Sequence, residues 1–247
     1  MSARIGVVFR PDFRPDTLRE TAAAADRAGV DELWLWEDCF LQGGIAAAAV
    51  ALASTDTLTI GLGVLPAPLR NVVTTAMEIA TLEAMFPGRL RVGIGHGVQD
   101  WMRQAGAAVA SPLTLMREYV TALSDLLAGQ SVTVEGRYVR LTDVRLDWAP
   151  RQRVPVLIGG TGPKTLALAG EIADGVILDS QYTATTVRHA LGHVATGRAG
   201  RGDTPFSTVL FLACSADQAA ESAWPFVEAG WTPSLFSRSG RRPWWPN

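Results

Sequence analysis

Cysteine is nearly absent from the 247-residue sequence, which carries only Cys39 and Cys214. Two thiols cannot make a disulfide framework, so stability has to come from a buried core, and the expected compartment is the cytoplasm. Charge is also sparse, with 19% charged residues and a formal net charge of −2. That balance excludes the dense cationic surface on which binding to nucleic acid or an anionic membrane depends. Lysine occurs once, at Lys164, so the many arginines reflect a compositional bias rather than a functional signal. No apolar run is long enough to span a membrane, and the first residues show neither a basic stretch nor the apolar segment of a secretory signal. Histidine is limited to three residues. His189 and His193 stand four apart, a spacing that can bind zinc, but two ligands do not define a site and no HExxH pattern exists, so no metal is expected.

What is present is apolar material. With 48% hydrophobic residues, the chain can fill one large core, and its length is near that of a single α/β barrel. Short apolar or β-branched runs at 4–9, 32–36, 58–64, 90–94, 154–159, 175–178 and 208–213 read as strands. Segments with helical spacing follow at 15–28, 43–53, 72–85, 112–128, 163–172, 183–195 and 216–227. Asp16 and Ser111 are candidate caps, while Gly29, Gly88 and Gly129 mark helix ends. Residues 132–141 suggest a small hairpin around Glu135-Gly136, inserted into the alternation.

Strict alternation fits a closed barrel or an open doubly wound sheet. The first strand-to-helix turn, Phe9-Arg10-Pro11-Asp12-Phe13, has no glycine, so the dinucleotide fingerprint is missing where an open sheet would carry it. The expectation is therefore one TIM-like (β/α)8 barrel domain over 1–247, with its last strand and helix unclear or missing. Residues 228–247 read as an irregular tail, since Pro243 and Pro246 oppose regular structure and no strand alternation is visible. Trp231, Trp244 and Trp245 could cover an apolar surface.

Barrel active sites are built from the loops at the carboxyl ends of the strands. The second strand ends Trp36-Glu37-Asp38-Cys39-Phe40, and consecutive side chains point opposite ways, so only one of the two acids can face the mouth. That carboxylate would handle a proton; the alternative is a solvated or helix-capping acid, and Cys39 reads more simply as a small buried filler. Gly61 and Gly63 suggest a bulge or the close approach of a flat ligand, with a tight barrel corner as the alternative. Gly95-His96-Gly97 reads as a backbone-lined pocket wall with His96 facing it.

The sharpest local pattern is Gly159-Gly160-Thr161-Gly162-Pro163-Lys164, where a strand runs into a glycine-rich turn and a helix start. Pro163 suits the first helical position, Thr161 can cap, and the free N–H groups of the first turn can take a phosphate, with Lys164 adding charge. A plain turn is the alternative.

Taken together, Leu35-Trp36-Glu37-Asp38-Cys39-Phe40, Gly63-Val64-Leu65-Pro66 with Arg70-Asn71, Phe86-Pro87-Gly88-Arg89 running to Gly97, and Ile158 to Thr165 with Asp174-Gly175 resemble the bacterial luciferase-like superfamily of flavin and deazaflavin (F420) oxidoreductases. The resemblance implies a TIM-like barrel that moves hydride between F420, or alternatively FMN, and a small organic substrate, in a protein that is often a homodimer through its early helices. It implies that Asp38 or His96 manages a proton and that Trp36 and Cys39 lie beside the coenzyme ring. Gly63-Val64 matches a bulge that often holds a non-prolyl cis peptide against the ring. Gly95 and Gly97 would line the pocket, and Gly159, Gly160, Thr161, Gly162 and Lys164 would hold the coenzyme phosphate. The chain also departs from the pattern. Cys39 replaces a histidine, and Val98 stands where some deazaflavin dehydrogenases carry an acidic donor, which speaks against sugar-phosphate oxidation. A non-catalytic flavin- or phosphate-binding protein, or an inactive remnant, is the competing class.

Overall fold

The computed structural model of the chain describes residues 4–179, 184–214 and 232–237. Eight parallel strands close into a barrel: β1 (Gly6–Phe9), β2 (Glu32–Leu35), β3 (Thr59–Pro66), β4 (Leu90–Gly95), β7 (Val156–Gly159), β8 (Gly175–Leu178), β9 (Ser207–Cys214) and β10 (Thr232–Ser237). Their ring order is β1-β10-β9-β8-β7-β4-β3-β2. The helices of the outer layer are α1 (Leu18–Arg27), α2 (Gly44–Ala53), α3 (Val72–Met85), α5 (Pro112–Leu127), α6 (Pro163–Ile172) and α7 (Ala184–Arg198). The inserted hairpin is β5 (Val132–Glu135) with β6 (Arg140–Val144), and its turn hangs on Glu118, which accepts N–H bonds from Arg137, Tyr138 and Val139 at 2.8 to 3.0 Å.

Three expectations need correction. The tail contains a strand: β10 occupies the eighth place, pairing with β1 through Gly6 and Ser234 and with β9 through Thr232 and Val209. A short helix, α4 (Gln99–Gln104), follows Gly97, because Met102 folds back beneath that glycine and is fully buried. The expected caps are not formed: Asp16 pairs with Arg14, the Ser111 hydroxyl meets that of Thr114, and Gly162 rather than Thr161 is the N-cap of α6. The cap that does form is Asn71, whose side chain accepts from the N–H groups of Val73 and Thr74. Gly29, Gly88 and Gly129 end helices at φ values of 73°, 72° and 77°, a region that L side chains avoid. The expected helix at 216–227 and the tryptophans Trp231, Trp244 and Trp245 lie outside the described residues.

Because helices cover the barrel wall, both faces of its strands are buried, which explains strands such as Glu-Leu-Trp-Leu in β2 with no exposed residue. Leu33 and Leu35 face the helices, whereas Trp34 joins Val8, Leu157, Ile177, Val209 and Phe211 inside the barrel. The Trp34 indole takes so much of that interior that the neighbouring strand has no room for side chains. A Cβ on Gly61 would stand 2.3 Å from the indole, and one on Gly63 would stand 2.8 Å from Phe211 and 2.9 Å from Trp34. Beyond the register shift between Leu62 and Leu65, Val64 turns inward and fills the space left by Gly93, Gly95 and Gly159, whose Cβ atoms would approach it to between 2.3 and 3.2 Å. At the amino-terminal end, fully buried Glu32 accepts from Trp34 Nε1 (2.8 Å) and pairs with Arg91 (2.7 Å) and Arg4 (3.3 Å). A buried carboxylate so compensated is tolerated; a lone one is not.

Gly61→Ala is therefore expected to lower stability by about 1 to 3 kcal/mol through overpacking against Trp34, read as a lower denaturant midpoint in tryptophan fluorescence. An unchanged midpoint would show that the interior can yield.

Candidate active site

The carboxyl ends of the strands gather the sequence motifs at one mouth. At the end of β2 the two adjacent acids separate as strand parity requires. Glu37 points into the helical layer, accepts the N–H of Gly44 at the start of α2, and is held by Arg70 at 2.8 and 2.5 Å. Arg70 also reaches Glu78 at 3.0 Å. Glu37 is thus the helix-capping acid, with both carboxylate oxygens engaged.

Asp38 is the other case. Among the described residues no hydrogen bond or ion pair compensates its carboxylate, and its pKa is pushed up to about 6, first by burial and then by the negative charge of Asp12. Asp12 sits in the loop after β1, where Arg10 grips both of its carboxylate oxygens at 3.0 and 2.8 Å. The sequence reading passed over Arg10 and Asp12 except as a turn without glycine. The signal available was an Arg-Pro-Asp step at a strand's carboxyl end, where an ion pair can set the field of its neighbour. Cys39 is half-buried, and burial together with Asp38 and Glu37 raises its thiol pKa, so it stays protonated and is a poor nucleophile. Trp36 lies against Phe211 at 5.3 Å between ring centroids, above the barrel interior.

The Gly63–Val64 peptide is cis, as the resemblance implied, and so is Cys39–Phe40. The other strand-end glycines have a structural task that the sequence did not reveal. Gly95 and Gly159 make room for Val64, and Gly97, at φ 67°, lies over Met102.

His96 stands at the end of β4, with Nε2 2.9 Å from Thr165 Oγ1 in the first turn of α6. Its Nδ1 is buried without a hydrogen bond, although the Pro112 backbone is near enough to favour a proton there. Burial is the larger influence and lowers the pKa, so the ring is neutral at pH 7. Thr165 is a residue the sequence reading did not single out; it joins the β4 motif to the glycine turn.

That turn is open to solvent at residues 161–164. The Gly160 N–H contacts the Ile177 carbonyl at 3.4 Å, and a Cβ on Gly160 would stand 2.6 Å from Thr165. Gly162, by contrast, has nothing within 4 Å of where a Cβ would be, and Lys164 is exposed beside it. The first-turn N–H groups of an α-helix have no intrahelical acceptors, and in α6 those follow Pro163, which has none. His189 and His193 lie on α7 with their rings 4.8 Å apart, and among the described residues no group of three or more potential ligands could hold a metal. No helix among them is long and apolar enough to cross a membrane.

Comparison with known proteins agrees with this geometry. The chain is 27% identical over 247 residues to a 5,10-methylenetetrahydromethanopterin reductase of Methanolobus tindarius, covering 96% of this chain and 75% of the relative. It is 30% identical over 233 residues to an F420-dependent glucose-6-phosphate dehydrogenase of Nakamurella multipartita, covering 85% and 67%. Its fold matches that of an F420-dependent secondary alcohol dehydrogenase solved with an F420–acetone adduct, with a TM-score of 0.79, 24% identity, and coverage of 92% and 74%. The family model for luciferase-like monooxygenases matches residues 3–242, and the chain belongs to that family.

Proposed function

We propose that this chain is an oxidoreductase that moves hydride between F420 and a small organic substrate. The observation that carries the reading is Asp38, an uncompensated carboxyl at the barrel mouth with a pKa of about 6, within reach of both protonation states near neutrality. Its F420-dependent relatives favour the deazaflavin over FMN. The residues present fit such a coenzyme: the α6 turn is exposed, and Gly162 leaves space beside it. Gly160, Thr161, Gly162 and Lys164 would hold the phosphate, with the α6 amides and the positive end of the helix dipole favouring the anion. Trp36, Cys39 and Val64 would border the ring, and the bound coenzyme supplies a hydride donor or acceptor. The protein's part is to exclude water with the Trp34, Phe211 and Val64 packing below the mouth and to move a proton at Asp38 Oδ. Neutral His96 positions Thr165 and the turn.

A second copy of the chain covers the outer faces of α2 and α3 in this reading, where Val50, Met77 and Met85 are exposed. Cytoplasmic operation is part of the same reading and accords with the free thiol of Cys39.

Gly162→Asp separates coenzyme binding from folding. An aspartate at this N-cap should hold or raise the melting temperature, while its charge weakens F420 binding by roughly ten- to a hundredfold in a fluorescence titration. Unaltered affinity would remove the phosphate assignment, and tighter binding of FMN than of F420 would reassign the coenzyme.

Asp38→Asn should leave coenzyme affinity within about twofold and cut turnover by about 10²- to 10⁴-fold. Binding without turnover in the parent chain would favour the non-catalytic class. With the parent, carbonyl reduction needs the protonated acid and falls as pH rises through about 6, while the reverse oxidation needs the carboxylate and rises over the same window. The same raised pKa means that ionising Asp38 costs stability, a cost absent below about pH 4 and complete above pH 6. Asp38→Asn should then be more stable than the parent by about 1 to 2 kcal/mol at pH 7.5 and no more stable at pH 4, as measured by denaturant unfolding.

A further inference from the structure

The mouth has two unlike sides. In the ring order, β1 and β2 are neighbours, and β7, which leads into the α6 turn, stands across the barrel from them. The side made by the loops after β1 and β2 carries Phe13, Phe40 and Leu41, which are 38%, 66% and 47% exposed. Phe13 and Leu41 are held in place. The Phe9 ring meets Phe13 edge-on at 5.4 Å, the Arg10 guanidinium lies 5.7 Å from it, and the Leu41 N–H donates to the Asp38 carbonyl at 2.9 Å. Gln42 ties the two loops together by donating to the Arg10 carbonyl at 3.4 Å.

The charges on this side are arranged to leave no cation for a substrate. The only basic residues of the two loops are Arg10 and Arg14, and each closes on the acid two positions ahead, Asp12 and Asp16. Glu37 is taken by Arg70. What remains toward the mouth is Asp38 with Asp12 behind it. A phosphate or carboxylate entering here would lose hydration against phenylalanine and leucine and meet Asp38 and Asp12, and among the described residues of these two loops both guanidinium groups already face a carboxylate.

We infer that the substrate of this site is an uncharged, apolar carbonyl compound and not a phosphate ester or a carboxylate. The inference rests on the oxidoreductase reading above and adds the substrate class to it. The step balances as a two-electron reduction. Hydride from the reduced coenzyme forms the new C–H bond at the carbonyl carbon, the C=O π pair moves to oxygen, and Asp38 gives that oxygen its proton; the products are the alcohol, the oxidised coenzyme and the Asp38 carboxylate. Phe13, Phe40 and Leu41 cover the apolar part of the substrate, and Asp12 repels anions.

The test compares 4-phenylbutan-2-one with glucose 6-phosphate, each titrated calorimetrically into the protein with and without F420, alongside oxidation of reduced F420 followed by absorbance. The ketone should bind and be reduced, and the sugar phosphate should give no saturable heat at millimolar concentration. Phe40→Ser and Phe13→Ser remove exposed side chains, so folding should persist by circular dichroism, and each should weaken ketone binding by on the order of tenfold. Asp12→Asn removes a carboxylate from this side, so it should bring in measurable glucose 6-phosphate binding. Tighter binding of the sugar phosphate than of the ketone by the parent chain, or ketone affinity indifferent to both phenylalanine substitutions, would overturn the inference. Failure of both F420 and FMN to bind would overturn the underlying oxidoreductase reading instead, and the two titrations without coenzyme would still decide between apolar and anionic ligands.

Discussion

The structure depends on how one indole is accommodated. Trp34 lies inside a closed ring of strands, fixed through Nε1 to the buried Glu32, and its bulk leaves the adjacent strand only hydrogen at Gly61 and Gly63. The bulge that follows brings Val64 inward, and Val64 in turn requires hydrogen at Gly95 and Gly159, while Ile177 and the Leu62 carbonyl require it at Gly93. Large residues on one arc and glycines on the other are how an eight-stranded barrel fills its centre at the density of a protein interior. The plug leaves the amino-terminal end sealed by the Glu32–Arg91 pair and the carboxyl-terminal end free for chemistry.

At that free end, strand geometry decides which of two neighbouring acids is held by partners and which faces the mouth. Glu37 and Asp38 differ by one position and point to opposite sides of the wall. One is neutralised by Arg70 and a helix amide; the other is half-buried, unpaired and under the field of Asp12. The Arg10–Asp12 pair lets a negative charge stay close to Asp38 without either acid being wholly unscreened, and it uses up the cation that could otherwise attract anions.

Much of this was legible in the sequence because it is local. Seven strands, most of the helices, the hairpin and the helix-stopping glycines follow from periodicity and from φ requirements that single residues report. β10 was not, because Thr232-Pro233-Ser234-Leu235-Phe236-Ser237 does not alternate and is held by parallel pairing to strands far away in the chain. The six residues of α4 are too few to show a period. At the site, the motifs were visible but several reasons for them were not. Glycines that suggested room for a flat ligand are also vacancies for Val64 and Trp34, and a sequence does not say which side chain will occupy the volume a glycine leaves. The influence of Asp12 on Asp38 likewise depends on two loops meeting in space.

Glu37 has a further bearing on Asp38. Through one carboxylate it is fastened to the start of α2 and, by way of Arg70, to Glu78 in the body of α3. The neighbouring peptide unit therefore takes its rigidity from the outer shell of the molecule. The position of Asp38 is thus set by contacts made outside the barrel as much as by the strand that carries it.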